Sequence, residues 1–213
     1  MAAVEFVPLT EVKISLRNAL INANMRAVLT LTTLPSVKTP NLTLRELQSA
    51  DARDLAGFMT QPRYQKFILH RLNDESEVKA FVSRNIAAQG DRRRHIFHLA
   101  AEERHSNEVV GDGMLISQSE GQYEAGWGLH PALWQAGFGT EIGTALLGLA
   151  FERLRAKSVV CKVMQPNRAS AALALRIGMK LVSTNQEMSL GHGRTENVEY
   201  YRIEADDYFN APY

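Results

Sequence analysis

The chain has 213 residues, with 24 Lys and Arg against 23 Asp and Glu, long enough for one domain with a substantial core. Near-zero net charge gives no electrostatic ground for expecting nucleic acid or an anionic membrane surface as the main partner. The single Cys161 cannot form an internal disulfide, no apolar run approaches the ~20 residues that span a bilayer, and Glu5 and Glu11 precede the first basic residue where a secretory signal would be cationic. These features predict a cytoplasmic protein with no nucleic-acid or membrane partner.

Residues 1–39 carry no sustained strand pattern and end at Pro35 and Pro40. Val12, Leu16, Ala19, Leu20 and Ala23 would share one face of a short helix. The segment reads as an extension or arm, packed on the domain, on a second subunit as in a homodimer, or attached loosely; it could equally precede a start at Met25. Residues 40–213 read as the domain proper. A first strand is expected over 41–47, and a helix capped by Ser49 or Asp51 runs to about Met59. A short helical piece near 62–70 follows. Asp74-Glu75-Ser76-Glu77 has a capping-box arrangement and opens a helix to Ala88, stopped at Gly90. Strands are expected over 95–103, 108–118 and 123–130, the first two joined by the polar turn 104–107. A helix with a broad apolar face covers about 140–156. Strand 158–164 is β-branched, Asn167 opens a helix that ends at Gly178, and strands near 179–190 and 197–204 close the pattern. Hairpins at both ends around one β-α-β crossover predict an α/β fold with a mixed sheet and helices on both faces.

The stretch Trp134-Gln135-Ala136-Gly137-Phe138-Gly139-Thr140 lies between a strand and the long helix. Gly137 and Gly139 tolerate positive φ and leave the backbone bare. The N–H groups of such a turn and the first helical turn converge with no intrahelical partner, which suits an anion such as a pyrophosphate. A tight structural connection would use the same glycines. A dinucleotide fingerprint fails, because the third glycine falls one place late at Gly143 and residues 158–160 lack the acidic partner. A Walker A loop fails for want of a lysine before Thr140.

The flanks distinguish a third option. Glu124-x-Gly126-Trp127 lies upstream, Leu133-Trp134-Gln135-x-Gly137-Phe138-Gly139-Thr140-Glu141 follows, and Asn167-x-x-Ser170 and Gly178-Met179 lie downstream. In these motifs and their order the chain resembles the GNAT superfamily of N-acetyltransferases, over about residues 40–209. Within it the chain is similar to the branch that acetylates N-termini of ribosomal proteins. Gln135 stands where that branch usually has glycine, Met179 where it usually has phenylalanine, and Ala174 where many members carry a tyrosine general acid.

The resemblance implies a three-layer fold with a central, splayed mixed sheet and acetyl-CoA as cosubstrate. The acceptor would be a primary amine, either a protein N-terminus or a small molecule, attacking the thioester directly. Strands 123–130 and 158–164 would part to admit the pantetheine arm, which can pair with backbone groups the splay leaves free. Cofactor contacts would come from Trp127 and Leu129, from Trp134, Gln135, Ala136, Gly137, Phe138, Gly139 and Thr140, and from Asn167. Asn167 also reads as a plain N-cap. Transfer to an amine needs a base, an oxyanion site and a proton for the thiolate. Glu124 is the first candidate base, against a solvated or ion-paired carboxylate; Glu187 is the second, against a surface position. Ser170 is the implied proton donor, against a structural place in the helix. Trp127 and Trp134 read as packing aromatics or as rims of the acceptor groove, with packing favoured for Trp134. Arg92-Arg93-Arg94 reads as a solvated face, or else as a patch for the cofactor's 3′-phosphate or for an acidic acceptor. His95 and His98 do not form a metal pair, since i and i+3 on a strand face opposite ways. The alternative to an enzyme is a GNAT-fold acyl-CoA-binding module without turnover, suggested by Ala174. Segments 59–75 and 184–198, which would build the acceptor pocket, match no readable motif.

Overall fold

The structure is a computed structural model that describes residues 34–68, 71–91, 93–191 and 194–211. The expected helix through Val12 to Ala23, and most of the arm at 1–39, lie outside the described residues.

Eight strands form one sheet among the described residues: β1 (Val37–Lys38), β2 (Leu42–Glu46), β3 (Ile96–Glu103), β4 (Val109–Ser119), β5 (Gln122–Leu129), β6 (Ser158–Met164), β7 (Lys180–Gly191) and β8 (Arg194–Glu204). Their order is β1-β2-β3-β4-β5-β6-β8-β7. Only β5 and β6 are parallel, as a β-α-β crossover requires. The other pairs are antiparallel, so the sheet is mixed.

Side-chain alternation divides the sheet into two faces. Phe97, Leu99, Leu115, Ala125, Val159, Cys161 and Tyr201 face one core, covered by α4 (Phe138–Gly148) and α5 (Arg168–Arg176). Ala100 and Val109 face a second core with α1 (Asp51–Met59) and α3 (Glu75–Ala88). Helices therefore lie on both faces. Each half of the sequence supplies one layer, because the crossover returns on the side opposite to the early helices.

Local chemistry sets most boundaries where the sequence placed them. The Asp74 side chain accepts from the Glu77 N–H at 2.9 Å, and Glu77 reaches back to the Asn73 N–H at 2.8 Å. α3 stops before Gly90 at φ +87°. The first helix is the exception: Ala50 occupies its cap position without a side-chain bond. Asp51 instead accepts from the Gln48 N–H at 2.8 Å and pairs with Arg45 at 2.8 Å. Its carboxylate is buried where a guanidinium can reach it, and that pairing takes it away from capping. A final turn, α6 (Ala205–Phe209), was not signalled by periodicity; it stacks Tyr208 on Phe151 with centroids 4.7 Å apart. Helix α4 ends in a π-turn over Leu149–Arg153.

Candidate active site

The parallel pairing of β5 with β6 covers only Gln122–Glu124 against Ser158–Val160. Yet β5 continues to Leu129 and β6 to Met164. Beyond Glu124 each strand keeps only its outer neighbour, β4 or β8, and a gap opens between them. The His130 N–H donates to the Val110 carbonyl of β4 at 2.8 Å. Alternation along β5 then turns the N–H and C=O of Trp127 into the gap. An extended amide-bearing arm could satisfy these groups.

At the wide end of the gap lies the glycine turn. Gly137 caps α4 at φ +90°, a conformation that penalises any other residue. The N–H groups of Gly137, Phe138 and Gly139 donate to no acceptor among the described residues. They point from the positive end of an 11-residue helix. A Cβ on Gly137 would meet nothing within 4 Å, so the turn is open on its outer side. Gln135, at φ +71°, holds a left-handed position without being glycine. The Arg176 guanidinium reaches Thr140 Oγ1 at 3.3 Å and sets a cation beside the turn. Gly143 does not belong to a phosphate fingerprint: a Cβ there would meet Leu173 and Ile177 at 3.0 Å, so it admits α5 against α4.

The other expected cofactor residues fall around the same gap. Leu129 is half-buried against the core, and its carbonyl accepts the Trp134 indole N–H at 3.0 Å. Trp134 is 40% exposed, with the Arg63 guanidinium 4.7 Å over its ring. It is therefore a rim residue rather than the packing aromatic expected. Trp127 packs its ring on the core face and offers the gap its backbone. Ala136 follows Gln135 in the turn and Phe138 packs on the core. Asn167 caps α5 by accepting from the Ser170 N–H at 3.3 Å. The Ser170 hydroxyl, half-buried, has no partner among the described residues.

Glu124 stands at the last paired position, at the apex of the gap. One of its oxygens accepts from Lys162 at 2.7 Å and from Gln118 at 3.0 Å. Its side chain is 13% exposed. Glu187 is exposed on β7 and pairs in register with Asn197, so it faces away from Glu196. Arg94 corrects the basic-run reading: it is 2% exposed, and both terminal nitrogens bond Glu46, at 2.7 and 2.8 Å. A buried carboxylate has drawn it inward, over the Phe97 ring, and Arg92 lies outside the described residues. Burial, reinforced by the Glu124 charge, pushes the Cys161 thiol up to about 12. It stays protonated at neutral pH and is a poor nucleophile. Burial and a 2.6 Å bond to Glu199 push Tyr201 up to about 12 as well.

Two features have no sequence signal. Tyr64 Oη donates to Asp112 at 2.8 Å, and His98 Nε2 lies 2.9 Å from the other Asp112 oxygen. This buried trio ties α2 (Pro62–Gln65) to β3 and β4, against the bare backbone of Gly128 on β5. His98 thus has a polar partner that its sequence neighbours could not reveal. Just beyond lies a cleft of about 600 Å³ lined by Pro62, Gln65, Lys66, Phe67, Arg71, Met164, Pro166 and Glu196. Pro62 to Phe67 and Arg71 on one wall fall within 59–75, Glu196 on another falls within 184–198, and Met164 at the end of β6 borders one side of the gap.

A family model described as an acetyltransferase (GNAT) domain matches residues 41–180. The chain belongs to the GNAT acetyltransferase family. It is thus an N-acetyltransferase, with acetyl-CoA as its cosubstrate, and the bare turn and the gap fit that molecule's phosphates and arm. The "Uncharacterized N-acetyltransferase p20" of Bacillus licheniformis is 23% identical over 180 residues, 82% of this chain and 99% of that protein. Among solved structures, a GNAT-family acetyltransferase from Bacillus anthracis has a TM-score of 0.73 at 19% identity, covering 81% of this chain and 99% of that one. Spermidine N-acetyltransferase from Vibrio cholerae, in complex with CoA and spermine, has a TM-score of 0.69 at 18% identity over 81% and 100%. Ribosomal-protein-S5-alanine acetyltransferase from Vibrio fischeri has a TM-score of 0.70 at 13% identity over 82% and 98%. At these identities the structures establish the GNAT fold. No described helix is long and apolar enough to cross a membrane.

Proposed function

We propose that the protein acetylates a primary amine held in the cleft between α2 and the end of β6, by direct attack of the amine on the thioester. One observation carries this reading: strand pairing stops at Glu124 and Val160, and the resulting gap has an anion-binding turn at its mouth and the cleft beside β6. The cofactor's phosphates would rest on the N–H groups of Gly137, Phe138 and Gly139. The arm would pair with Trp127, whose N–H is also placed to stabilise the developing oxyanion. Asn167 would border the arm.

Glu124 is the proposed base, acting through water, with Lys162 Nζ 2.7 Å away holding the carboxylate in place. Ser170 is the proposed donor to the departing thiolate, since its hydroxyl is free to turn. The protonated Cys161 gives no support to an acyl-enzyme route, which favours direct transfer. The acceptor is a protein N-terminus or a small amine; the Vibrio relatives illustrate both kinds at the level of fold.

Thiol release with acetyl-CoA and an amine panel tests the reading. Glu124→Gln should lower kcat by about 10²-fold, the size of a general-base contribution, while stabilisation by acetyl-CoA stays intact. Unchanged kcat in that variant would move the base to Glu196, the carboxylate on the cleft itself.

A further inference from the structure

We infer that the acceptor is a small amine that also carries a carboxylate or phosphate, with Lys66 and Arg71 holding the anion and Glu196 the amine end. The inference rests on the transferase reading and names the substrate class of that same site.

The charge of the cleft is the ground. Of its lining side chains among the described residues two are cationic, Lys66 and Arg71, and one is anionic, Glu196. None of the three has an ion-pair or hydrogen-bond partner among the described residues. Lys66 Nζ lies 5.1 Å from the Phe67 ring centroid, a contact that leaves its N–H donors available. The remaining polar lining group, the Gln65 amide, is committed to the Met59 and Leu72 carbonyls at 3.0 and 2.5 Å. It braces the wall and leaves the charged groups to do the recognising. Phe67, Pro62, Met164 and Pro166 supply apolar surface between them.

Lys66 and Arg71 come from the wall after α2, and Glu196 from β8. The charges are thus separated by element, cations on one wall and the carboxylate on another. A molecule with an ammonium and an anion is complementary to that layout. A polyamine is not, since it would place several ammonium groups against two cations and a single carboxylate. Two arginine or lysine contacts to a carboxylate or phosphate are charge-assisted and strong.

The chemistry closes simply. The bound ammonium gives one proton to a carboxylate or water, and the neutral nitrogen attacks the thioester carbonyl. The C–N bond forms, the C–S bond breaks, and the thiolate takes up a proton. The products are the N-acetyl acid and free CoA thiol. Fixing the anion costs the reaction nothing at the nitrogen, which remains free to enter the gap.

The test uses the full chain and thiol release. The panel holds an amino dicarboxylic acid, a phosphorylated amino sugar, a neutral amine of similar size, spermidine, and a peptide with a neutral N-terminal segment. The expected best acceptor by kcat/KM is one of the two anionic amines, and comparing them separates carboxylate from phosphate. In Lys66→Glu/Arg71→Glu, kcat/KM for that acceptor should fall by ~10–100-fold, as for lost hydrogen bonds to charged groups. KM for acetyl-CoA should stay within about twofold of the parent, because the turn lies elsewhere. Spermidine should improve. A polyamine, the neutral amine or the peptide as best acceptor overturns the inference, as does an unchanged KM for the anionic amine in the variant. Absence of any thermal stabilisation by acetyl-CoA would instead strike the transferase reading, so the two failures are told apart.

Discussion

Replacing Gly128 by alanine should be among the most damaging single-methyl changes in the molecule. A Cβ on Gly128 would overlap the Tyr64 hydroxyl and the Asp112 carboxylate, and would lie 3.0 Å from the Tyr64 ring carbon Cε2. The 2.8 Å Tyr64–Asp112 bond must then break or the strand must move. Overpacking costs about 1–3 kcal/mol, and losing a hydrogen bond to a buried carboxylate costs about 1.5–3 kcal/mol. The sum is about 2.5–6 kcal/mol, which for a domain of this size lowers Tm by ~5–24 °C. Tyr64→Phe alone loses only the bond, so its Tm should fall by roughly half as much. The double variant should be less destabilised than the sum, because the hydroxyl that clashes is gone. Thermal unfolding of the three variants reads all of this. A Gly128→Ala Tm within about 2 °C of the parent would refute the close packing of β5 on the buried trio.

Gln135→Gly should stabilise. Its φ of +71° strains a non-glycine residue by about 1–2 kcal/mol, and glycine returns part of that in chain entropy, leaving a Tm rise of about 2 °C. A lower Tm would mean the glutamine side chain compensates the strain. Glu141 accepts from Thr39 Oγ1 and Asn41, which ties α4 to the start of β2. Burial pushes its pKa up, but these bonds outweigh it and the carboxyl ends below its usual 4.5. The folded value is depressed, so its stabilisation is complete above about pH 5 and fades as pH falls through the folded value. Glu141→Gln should therefore cost up to about 1 kcal/mol at neutral pH, solvent screening included. The gap to the parent should close on acidification; a difference that stays constant down to pH 3 would show that the carboxylate charge is not what matters.

How much was legible follows from the range of each interaction. The turn at 134–140, the Asn167 cap, the capping box at Asp74 and the β-α-β order depend on bonds within a few residues, so residue types announce them. Glu124 was placed on the right strand for the same reason, but its partner Lys162 lies 38 positions on and could not be read. Arg94 looked like surface because its neighbours are arginines; only the register of β2 beside β3 brought Glu46 to it. The Tyr64–Asp112–His98 trio and the cleft beside the end of β6 were unreadable for the same reason. They join residues 14 to more than 100 apart whose types carry no pattern of their own. The sequence by itself determined the elements, their order and the glycine turn with its bare N–H groups, since hydropathy period and backbone freedom are local properties. Tertiary structure alone decided which carboxylates are paired, where β5 and β6 part, and which charges face the cleft, because burial and partner distance exist only once the sheet is assembled.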